Sequence, residues 1–358
     1  SVYCRMNMKA VPAQLLNETA LVCNSTQSLA GHMIIEVTFN GQDYTSDGLR
    51  FEVLDVSINT LEPWAGPLLG GTLITIKGAN IANVPLPHCE FAASLTMSYP
   101  LTRHHTPASV FNANGLRCIS PRLLPTGWSH VHILSHSAVL WSSTSFFVHA
   151  RIFMSELVPN AGPAAGGTRV AVIGAGFATG ATLYCRFERS SAISIARRLT
   201  HSHLECTAPS SAEAGVRSVQ LSINGQQYCH NGIAFTYFAT AIISSVWPSG
   251  GPAVGGTPVT VLGSGFSVLT TTDTVHHCRF NTTVVPAIYL SNMAIACNTT
   301  AMAPGLAALE VSMNSNDYTS SEVYFDVVGS RINSLLPWSG PTLGASVIVL
   351  TGSHLVNA

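Results

Sequence analysis

The sequence predicts an all-β protein built as a tandem array of two-layer β-sandwiches. Three observations lead to this fold class. A long segment recurs along the chain, its apolar residues alternate with polar ones, and glycine, proline and asparagine mark the ends of the alternating runs. Alternation with a period of two is typical of strands that bury one face and expose the other. The chain shows no apolar spacing of the kind that predicts an amphipathic helix.

The recurring segment contains proline, Gly-Pro, Gly-Gly-Thr or a relative of it, an alternating strand and a final glycine. Its four copies are LEPWAGPLLGGTLITIKGANI from Leu61, LVPNAGPAAGGTRVAVIGAGF from Leu157, VWPSGGPAVGGTPVTVLGSGF from Val246 and LLPWSGPTLGASVIVLTGSHL from Leu335. The equivalent glycines Gly70, Gly166, Gly255 and Gly344 are separated by 96, 89 and 89 residues. A repeat of this length is a small domain and not the unit of a solenoid.

Two further motifs recur in step with the first. A cysteine-led triplet begins at Cys4, Cys89, Cys185 and Cys278, and a second cysteine follows at Cys23, Cys118, Cys206 and Cys297. An alternating strand then closes the unit: VTFNGQDY ends at Tyr44, LSINGQQY at Tyr228 and VSMNSNDY at Tyr318, whereas HILSHSAV lacks the turn residues. We expect tight hairpin turns at Asn40-Gly41 and Asn224-Gly225, since both residue types tolerate positive φ. Short strands and one cysteine pair per unit predict an immunoglobulin-like sandwich.

This combination of motifs resembles IPT/TIG domains. These are immunoglobulin-like domains found in plexins, the hepatocyte growth factor receptor, fibrocystin-type ectodomains and some transcription factors. The resemblance covers nearly the whole chain and predicts complete IPT/TIG domains at residues 55–149, 150–239 and 240–328. Residues 1–54 match the C-terminal part of such a domain, and residues 329–358 match the N-terminal part. The partial ends are expected for a segment of a longer array; strand exchange between copies is the alternative.

A dinucleotide-binding turn is an alternative interpretation of VAVIGAGFATG, which starts at Val170. In such a turn, Gly174 and Gly176 would be followed by a third glycine at position 179, where this chain has threonine. The equivalent place in another copy reads Lys77-Gly78-Ala79-Asn80. We therefore expect these glycines to be structural, and we predict no cofactor.

The composition limits the partners. The net charge is −1, only 9% of residues are charged, and Lys9 and Lys77 are the two lysines. A chain without a basic patch cannot neutralise many phosphates, so no nucleic acid is expected. The mean hydropathy is +0.33, but proline and glycine interrupt the apolar stretches, and no membrane span is predicted within this segment. An apolar surface of this kind is expected to be covered by glycans or by other subunits.

The cysteines predict an oxidising compartment. We expect disulfides Cys4–Cys23, Cys89–Cys118, Cys185–Cys206 and Cys278–Cys297; zinc is the alternative, but no C-x-x-C spacing occurs. The ninth cysteine, Cys229, is expected to be unpaired or to form an intermolecular bond. Four N-glycosylation sequons begin at Asn17, Asn24, Asn281 and Asn298. Asn24 and Asn298 each follow the second cysteine of their unit, and we expect glycans there first.

The sequence favours a non-catalytic function outside the cell. Fourteen histidines are present, but they do not form a recurring ligand motif, and neither a catalytic triad nor paired carboxylates stand out from the repeat. We expect no metal site and no enzyme activity. The main hypothesis is a structural building block of an extracellular or cell-surface filament or rod, with other copies of itself or other extracellular proteins as partners. The alternative is a ligand-binding ectodomain of a plexin-like or fibrocystin-like cell-surface receptor.

Overall fold

The protein consists almost entirely of β-strands. The computed structural model describes residues 2–26, 28–93, 102–122, 124–135, 138–177, 182–190, 192–268, 276–353 and 355. Across these ranges the helical structure is one 3-10 turn, Ile81–Asn83. The prediction of an all-β chain of tandem immunoglobulin-like sandwiches is therefore confirmed. The chain divides into two compact units, Ser1–Arg151 and Ile152–Ala358.

The first unit contains a five-stranded sheet and one eight-stranded sheet, which we call the first sandwich. The five-stranded sheet has the order β3-β2-β1-β4-β5 and the first sandwich the order β6-β8-β11-β10-β9-β12-β13-β7. The strands are β1 (Tyr3–Met6), β2 (Lys9–Asn17), β3 (Ala20–Cys23), β4 (Gly31–Thr38), β5 (Arg50–Val53), β6 (Ser57–Glu62), β7 (Ala65–Pro67), β8 (Leu73–Ala79), β9 (Pro87–Ala93), β10 (Thr102–Asn112), β11 (Gly115–Ile119), β12 (Gly127–Ser135) and β13 (Ala138–His149).

The second unit contains two eight-stranded sheets of the same topology, the second and third sandwiches, and a final hairpin. The second sandwich comprises β14 (Phe153–Val158), β15 (Ala161–Pro163), β16 (Arg169–Ala175), β17 (Leu183–Phe187), β18 (Ile193–Arg198), β19 (His203–Thr207), β20 (Gly215–Ser222) and β21 (Ile233–Phe238). The third comprises β22 (Ile242–Trp247), β23 (Gly250–Pro252), β24 (Pro258–Ser264), β25 (His277–Phe280), β26 (Thr283–Ser291), β27 (Ala294–Asn298), β28 (Gly305–Ser312) and β29 (Val323–Val328); β30 (Arg331–Leu336) and β31 (Val349–Ser353) form the hairpin. Each predicted complete domain encloses one eight-stranded sheet, and the domain limits themselves stay predictions.

Two strand crossings fold each eight-stranded sheet into two layers. In the third sandwich, the first half of β26 (283–286) pairs with β25, and the second half (287–291) pairs with β27. The initial segment crosses in the same way, because β22 pairs antiparallel with β24 whereas β23 pairs parallel with β29. One continuous strand ladder therefore passes through both layers and encloses a single core.

The core of each sandwich contains a pair of buried phenylalanines that meet edge to face. The ring centroids are 5.9 Å apart for Phe91 and Phe146, 5.4 Å for Phe187 and Phe235, and 5.5 Å for Phe280 and Phe325. The first member of each pair is the aromatic residue of the cysteine triplet, two residues after the cysteine. Alternation places the cysteine and the phenylalanine on the same inward face, as the sequence predicts.

The glycine that ends the repeated strand is required by close strand packing. A Cβ atom on Gly174 would lie 2.1 Å from the carbonyl oxygen of Phe153, and one on Gly78 or Gly263 would meet the equivalent carbonyl at 1.9 or 2.1 Å. The pairing of β14 with β16 also shifts register next to this point, between Met154 and Glu156. Gly174 thus serves a strand bulge, which accounts for the motif without a nucleotide.

The Asn-Gly turns differ from the prediction of tight hairpins. After Asn40-Gly41 the next strand begins only at Arg50, and after Asn224-Gly225 it begins at Ile233. The turns are built by the asparagine side chain: Oδ1 of Asn40 accepts hydrogen bonds from the backbone N–H groups of Gln42 and Asp43, at 2.9 Å each. Asparagine can hold a turn through its own side chain, so the sequence pair marks a longer loop here. The tight-hairpin prediction was wrong.

Candidate interaction and modification sites

Four disulfides join the two layers of strands. Cys185 on β17 is bonded to Cys206 on β19, and both side chains are buried. The other bonds are Cys4–Cys23, Cys89–Cys118 and Cys278–Cys297. In each case the two cysteines lie on the strands that flank the crossing strand.

Cys229 takes the place of a threonine. The backbone N–H of Leu221 donates to Sγ of Cys229 at 3.2 Å. In the five-stranded sheet, the N–H of Val37 donates to Oγ1 of Thr45 at 3.0 Å, and in the third sandwich the same bond links Val311 and Thr319. The thiol is free in the part of the chain that the structure describes. Burial raises the pKa of the Cys229 thiol, so it stays protonated and weakly nucleophilic at neutral pH.

We expect Cys229→Thr to fold with unchanged stability, because threonine provides the same acceptor in the five-stranded sheet and in the third sandwich. Cys229→Ala should lose about 1 kcal/mol, since the N–H of Leu221 then lacks this acceptor. Thermal or denaturant unfolding of the two variants measures the difference. Thiol labelling should be slow in the native protein and fast in denaturant. Rapid native labelling, or equal loss of stability in both variants, would contradict the structural role.

In three copies of the repeat, an arginine on the outward face packs the closing loop onto the sheet. The guanidinium of Arg186 lies 3.8 Å above the ring of Tyr228 and donates to Oε1 of Gln220 at 2.5 Å. Arg5 lies 4.0 Å above Tyr44, and Arg279 lies 3.9 Å above Tyr318. Their carboxylate partners are Glu36 and Glu310. The tyrosine that ends the third motif is therefore a stacking partner for arginine, which the sequence pattern alone does not reveal.

The first sandwich has a carboxylate at the equivalent position. Glu90 is buried, and its oxygens contact Nη1 of Arg103 at 3.1 Å and Nε2 of His105 at 3.4 Å. His132 lies opposite Glu90 on the next strand. Burial lowers the pKa of His132, partly offset by the nearby Glu90 carboxylate. The charge of Glu90 is thus balanced by the arginine, and among the described residues no three histidine, cysteine or acidic side chains converge as metal ligands.

All four sequon asparagines are exposed. Asn17 ends β2, and its Oδ1 accepts from the backbone N–H of Thr19 at 2.8 Å, so the first and third sequon residues already form one turn. Asn281 has a left-handed φ of 54°, and its Oδ1 accepts from the N–H of Ala308 at 2.8 Å. Asn24 and Asn298 directly follow the disulfide-bonded Cys23 and Cys297. Every site is open to solvent, and glycosylation itself stays a prediction.

Among the residues that the structure describes, no helix has the length and apolar content needed to span a membrane.

The cysteine-containing sandwiches of the second unit define the class of protein. Residues 153–237 and 241–327 each match the family model of the IPT/TIG domain, so the chain contains two such domains in tandem. Each matched segment contains one sandwich, one disulfide and one arginine–tyrosine stack. The resemblance to tandem IPT/TIG domains is confirmed.

The chain is similar in sequence to plexin-A4. Human plexin-A4 is 22% identical over 230 residues, which cover 62% of this chain and 12% of the human protein. Mouse plexin-A4 gives the same identity and coverage. The chain therefore spans only a small part of the length of the curated relatives it matches. The structure of the plexin A4 full extracellular region, domains 1 to 10, aligns with 96% of this chain and 37% of that chain, at 17% identity and a TM-score of 0.41.

The location of the protein follows from its disulfides and its relatives. Four disulfides need an oxidising environment to form and persist. The similarity to plexin-A4 agrees with that environment. The protein is extracellular or exposed at the cell surface, as the sequence predicts.

Proposed function

We propose that this chain is a non-catalytic, ligand-binding segment of the ectodomain of a plexin-like cell-surface receptor. The observation that carries the proposal is the sequence similarity to human plexin-A4 over 230 residues. It occurs in a chain with tandem disulfide-bonded IPT/TIG domains. The filament hypothesis draws no support from these relatives, so the receptor alternative is preferred.

A binding role also agrees with the use of the reactive side chains. Cys229 serves as a hydrogen-bond acceptor for a strand, and Glu90 pairs with Arg103. Arg279 pairs with Glu310 and stacks on Tyr318. These groups hold loops and strands together and are committed to packing, which supports a non-catalytic role.

A protein partner is the class of ligand that the surface favours. The crossing strands β18 and β26 expose aliphatic side chains: Ile195 and Ile288 are each 68% exposed, and Ile193 and Leu290 are exposed beside them. Exposed aliphatic groups in neighbouring positions are typical of interaction surfaces. We therefore infer an extracellular protein with an apolar contact surface as the partner.

Assembly and binding measurements distinguish a receptor segment from a filament subunit. The full chain would be secreted with its disulfides intact and studied by sedimentation velocity and negative-stain electron microscopy. The receptor proposal predicts dispersed particles and saturable binding to a member of a panel of purified extracellular proteins. Ile195→Lys or Ile288→Lys should weaken that binding, whereas Val216→Lys, at an exposed position of β20, serves as the matched control. Ordered filaments that form without a second protein would overturn the proposal.

We expect N-glycans on Asn24 and Asn298 before Asn17 and Asn281. Asn24 and Asn298 are exposed directly after a disulfide-bonded cysteine, whereas Oδ1 of Asn281 accepts a hydrogen bond from the backbone N–H of Ala308 on β28. Peptide mass analysis before and after glycosidase treatment measures the occupancy of each site. Asn24→Gln and Asn298→Gln are the controls for site assignment. Unmodified peptides at both positions in secreted protein would refute this expectation.

A further inference from the structure

The turn Asn314–Asp317 of the third sandwich reaches into the second sandwich. Nδ2 of Asn314 donates to the carbonyl oxygen of Ala161 at 2.9 Å, and Oγ1 of Thr168 donates to Oδ2 of Asp317 at 2.7 Å. Asn314 is 5% exposed and Thr168 is fully buried. The two bonds thus join two motifs of the repeat, the Gly-Gly-Thr of one sandwich and the asparagine turn of the next.

The turn has the same internal structure where it is exposed. In the five-stranded sheet, Nδ2 of Asn40 donates to Oδ2 of Asp43 at 2.8 Å, and both residues are exposed. In the third sandwich, Nδ2 of Asn314 donates to Oδ2 of Asp317 at 2.7 Å. The turn is therefore shaped by its own side chains before it meets a neighbouring sandwich.

The hydroxyl of the threonine that contacts the turn lies in space left by a glycine. A Cβ atom on Gly162 would lie 2.1 Å from Oγ1 of Thr168, so only glycine leaves space for this hydroxyl. The same close approach occurs at Gly66 with Thr72, at 2.2 Å, and at Gly251 with Thr257, at 2.4 Å. Each sandwich thus presents its threonine hydroxyl in the same way, and the Gly-Pro and Gly-Gly-Thr motifs act together.

The contact between the second and third sandwiches also has an apolar part, and the chain segment that connects them is short. Ala161 and Phe238 of the second sandwich belong to the same buried cluster as Ile243 and Met313 of the third. Strand β21 ends at Phe238 and β22 begins at Ile242. Within that connection, Oγ1 of Thr240 accepts from the backbone N–H of Ala165 at 3.1 Å. The polar contacts therefore flank a buried apolar contact.

We propose that the turn Asn314–Asp317 is an interdomain latch that fixes the angle between the second and third sandwiches. The hydrogen bond from Thr168 ends on a carboxylate, and bonds to charged acceptors are stronger than neutral ones. The bond from Asn314 to the Ala161 carbonyl adds a second anchor. Two anchors beside a short connection restrict both bending and rotation about it. This latch is independent of whether the chain serves a receptor or a filament.

The test measures the distance between the two sandwiches in the full chain. Spin labels would be attached through p-acetylphenylalanine at exposed Val216 and Leu306, which leaves all cysteines unchanged. We expect one narrow distribution of label-to-label distances in the labelled chain that keeps Thr168 and Asp317. Thr168→Val and Asp317→Ala should each raise the population outside that peak at least about tenfold, the effect of losing one hydrogen bond to a charged group. The double variant should show no further change.

Matched variants separate the latch from general packing. Thr168→Ser keeps the hydroxyl and should retain the narrow distribution, and Asp43→Ala, in the exposed turn of the five-stranded sheet, should have no effect. Circular dichroism establishes that each variant is folded. If Thr168→Val does not fold, Asp317→Ala compared with Asp317→Asn decides the question. A distribution that stays narrow in Asp317→Ala, or that broadens equally in Thr168→Ser and Thr168→Val, would overturn the latch.

Discussion

Replacing Cys185 and Cys206 together with alanine is expected to lower the free energy of unfolding of the second sandwich by about 3 kcal/mol. The bond closes a loop between residues that are 21 positions apart. Its loss restores freedom to the unfolded chain, which is the main term in the chain-entropy account of disulfides. Both sulfur atoms are also buried, so alanine leaves unfilled space in the core.

Hydrogen exchange measured by mass spectrometry reports this loss locally. Peptides from β17 and β19 should exchange faster in the double variant, while peptides from the first sandwich keep their rates, because tandem domains open as separate cooperative units. Cys229→Thr is the control, since it removes a cysteine without removing a bridge. Unchanged protection in β17 and β19 would show that the disulfide adds little to this fold.

Much of the fold is visible in the sequence because the repeat supplies independent copies of the same evidence. Four occurrences of a cysteine pair fix which cysteines lie near each other, and the alternation around Cys185 fixes which face is buried. Gly174 is ambiguous alone, but Gly78 in the same frame shows that a strand end and not a phosphate is the cause. Local rules are reliable here because they describe strands, whose inward and outward positions follow directly from the period of two.

The parts that the sequence does not predict depend on contacts between distant segments. The Asn-Gly pairs predict a short hairpin, but the asparagine side chain builds a longer loop. Cys229 looks like an unused thiol until the backbone N–H of Leu221 is seen to donate to it. Thr168 and Asp317 are separated by 149 positions. No periodicity reports such a pair, because the strand pattern specifies a face and not a partner.

The pairing of charged side chains also bears on which surface is open to a partner. Charged side chains such as Arg279 and Glu310 are paired with each other within their own sandwich. Under the proposed receptor function, a partner would contact exposed aliphatic groups such as Ile195 and Ile288. A surface of that kind depends on the relative position of neighbouring sandwiches. The proposed latch and the proposed receptor function are therefore compatible, although each is tested separately.

The largest single effect is expected from Phe235→Ala, which should destabilise the second sandwich by about 3–5 kcal/mol. Phe235 is fully buried, and its ring packs edge to face on Phe187, at 5.4 Å, and on Tyr237, at 5.0 Å. Truncation removes these contacts and leaves a cavity that the disulfide-bonded strands cannot close by collapsing. Phe146 and Phe325 fill the same place in the other sandwiches.

Phe153→Ala is the matched control, because Phe153 begins the same sandwich and is 57% exposed. Denaturant unfolding followed by hydrogen exchange of β20 and β21 compares the two variants. We expect a large loss of protection for Phe235→Ala and a change within about 0.5 kcal/mol for Phe153→Ala, as is usual at exposed positions. Equal effects of the two substitutions would mean that the edge-to-face pair is not the centre of the core. A selective effect at Phe235 would establish that its edge-to-face pair with Phe187 stabilises the core of the second sandwich.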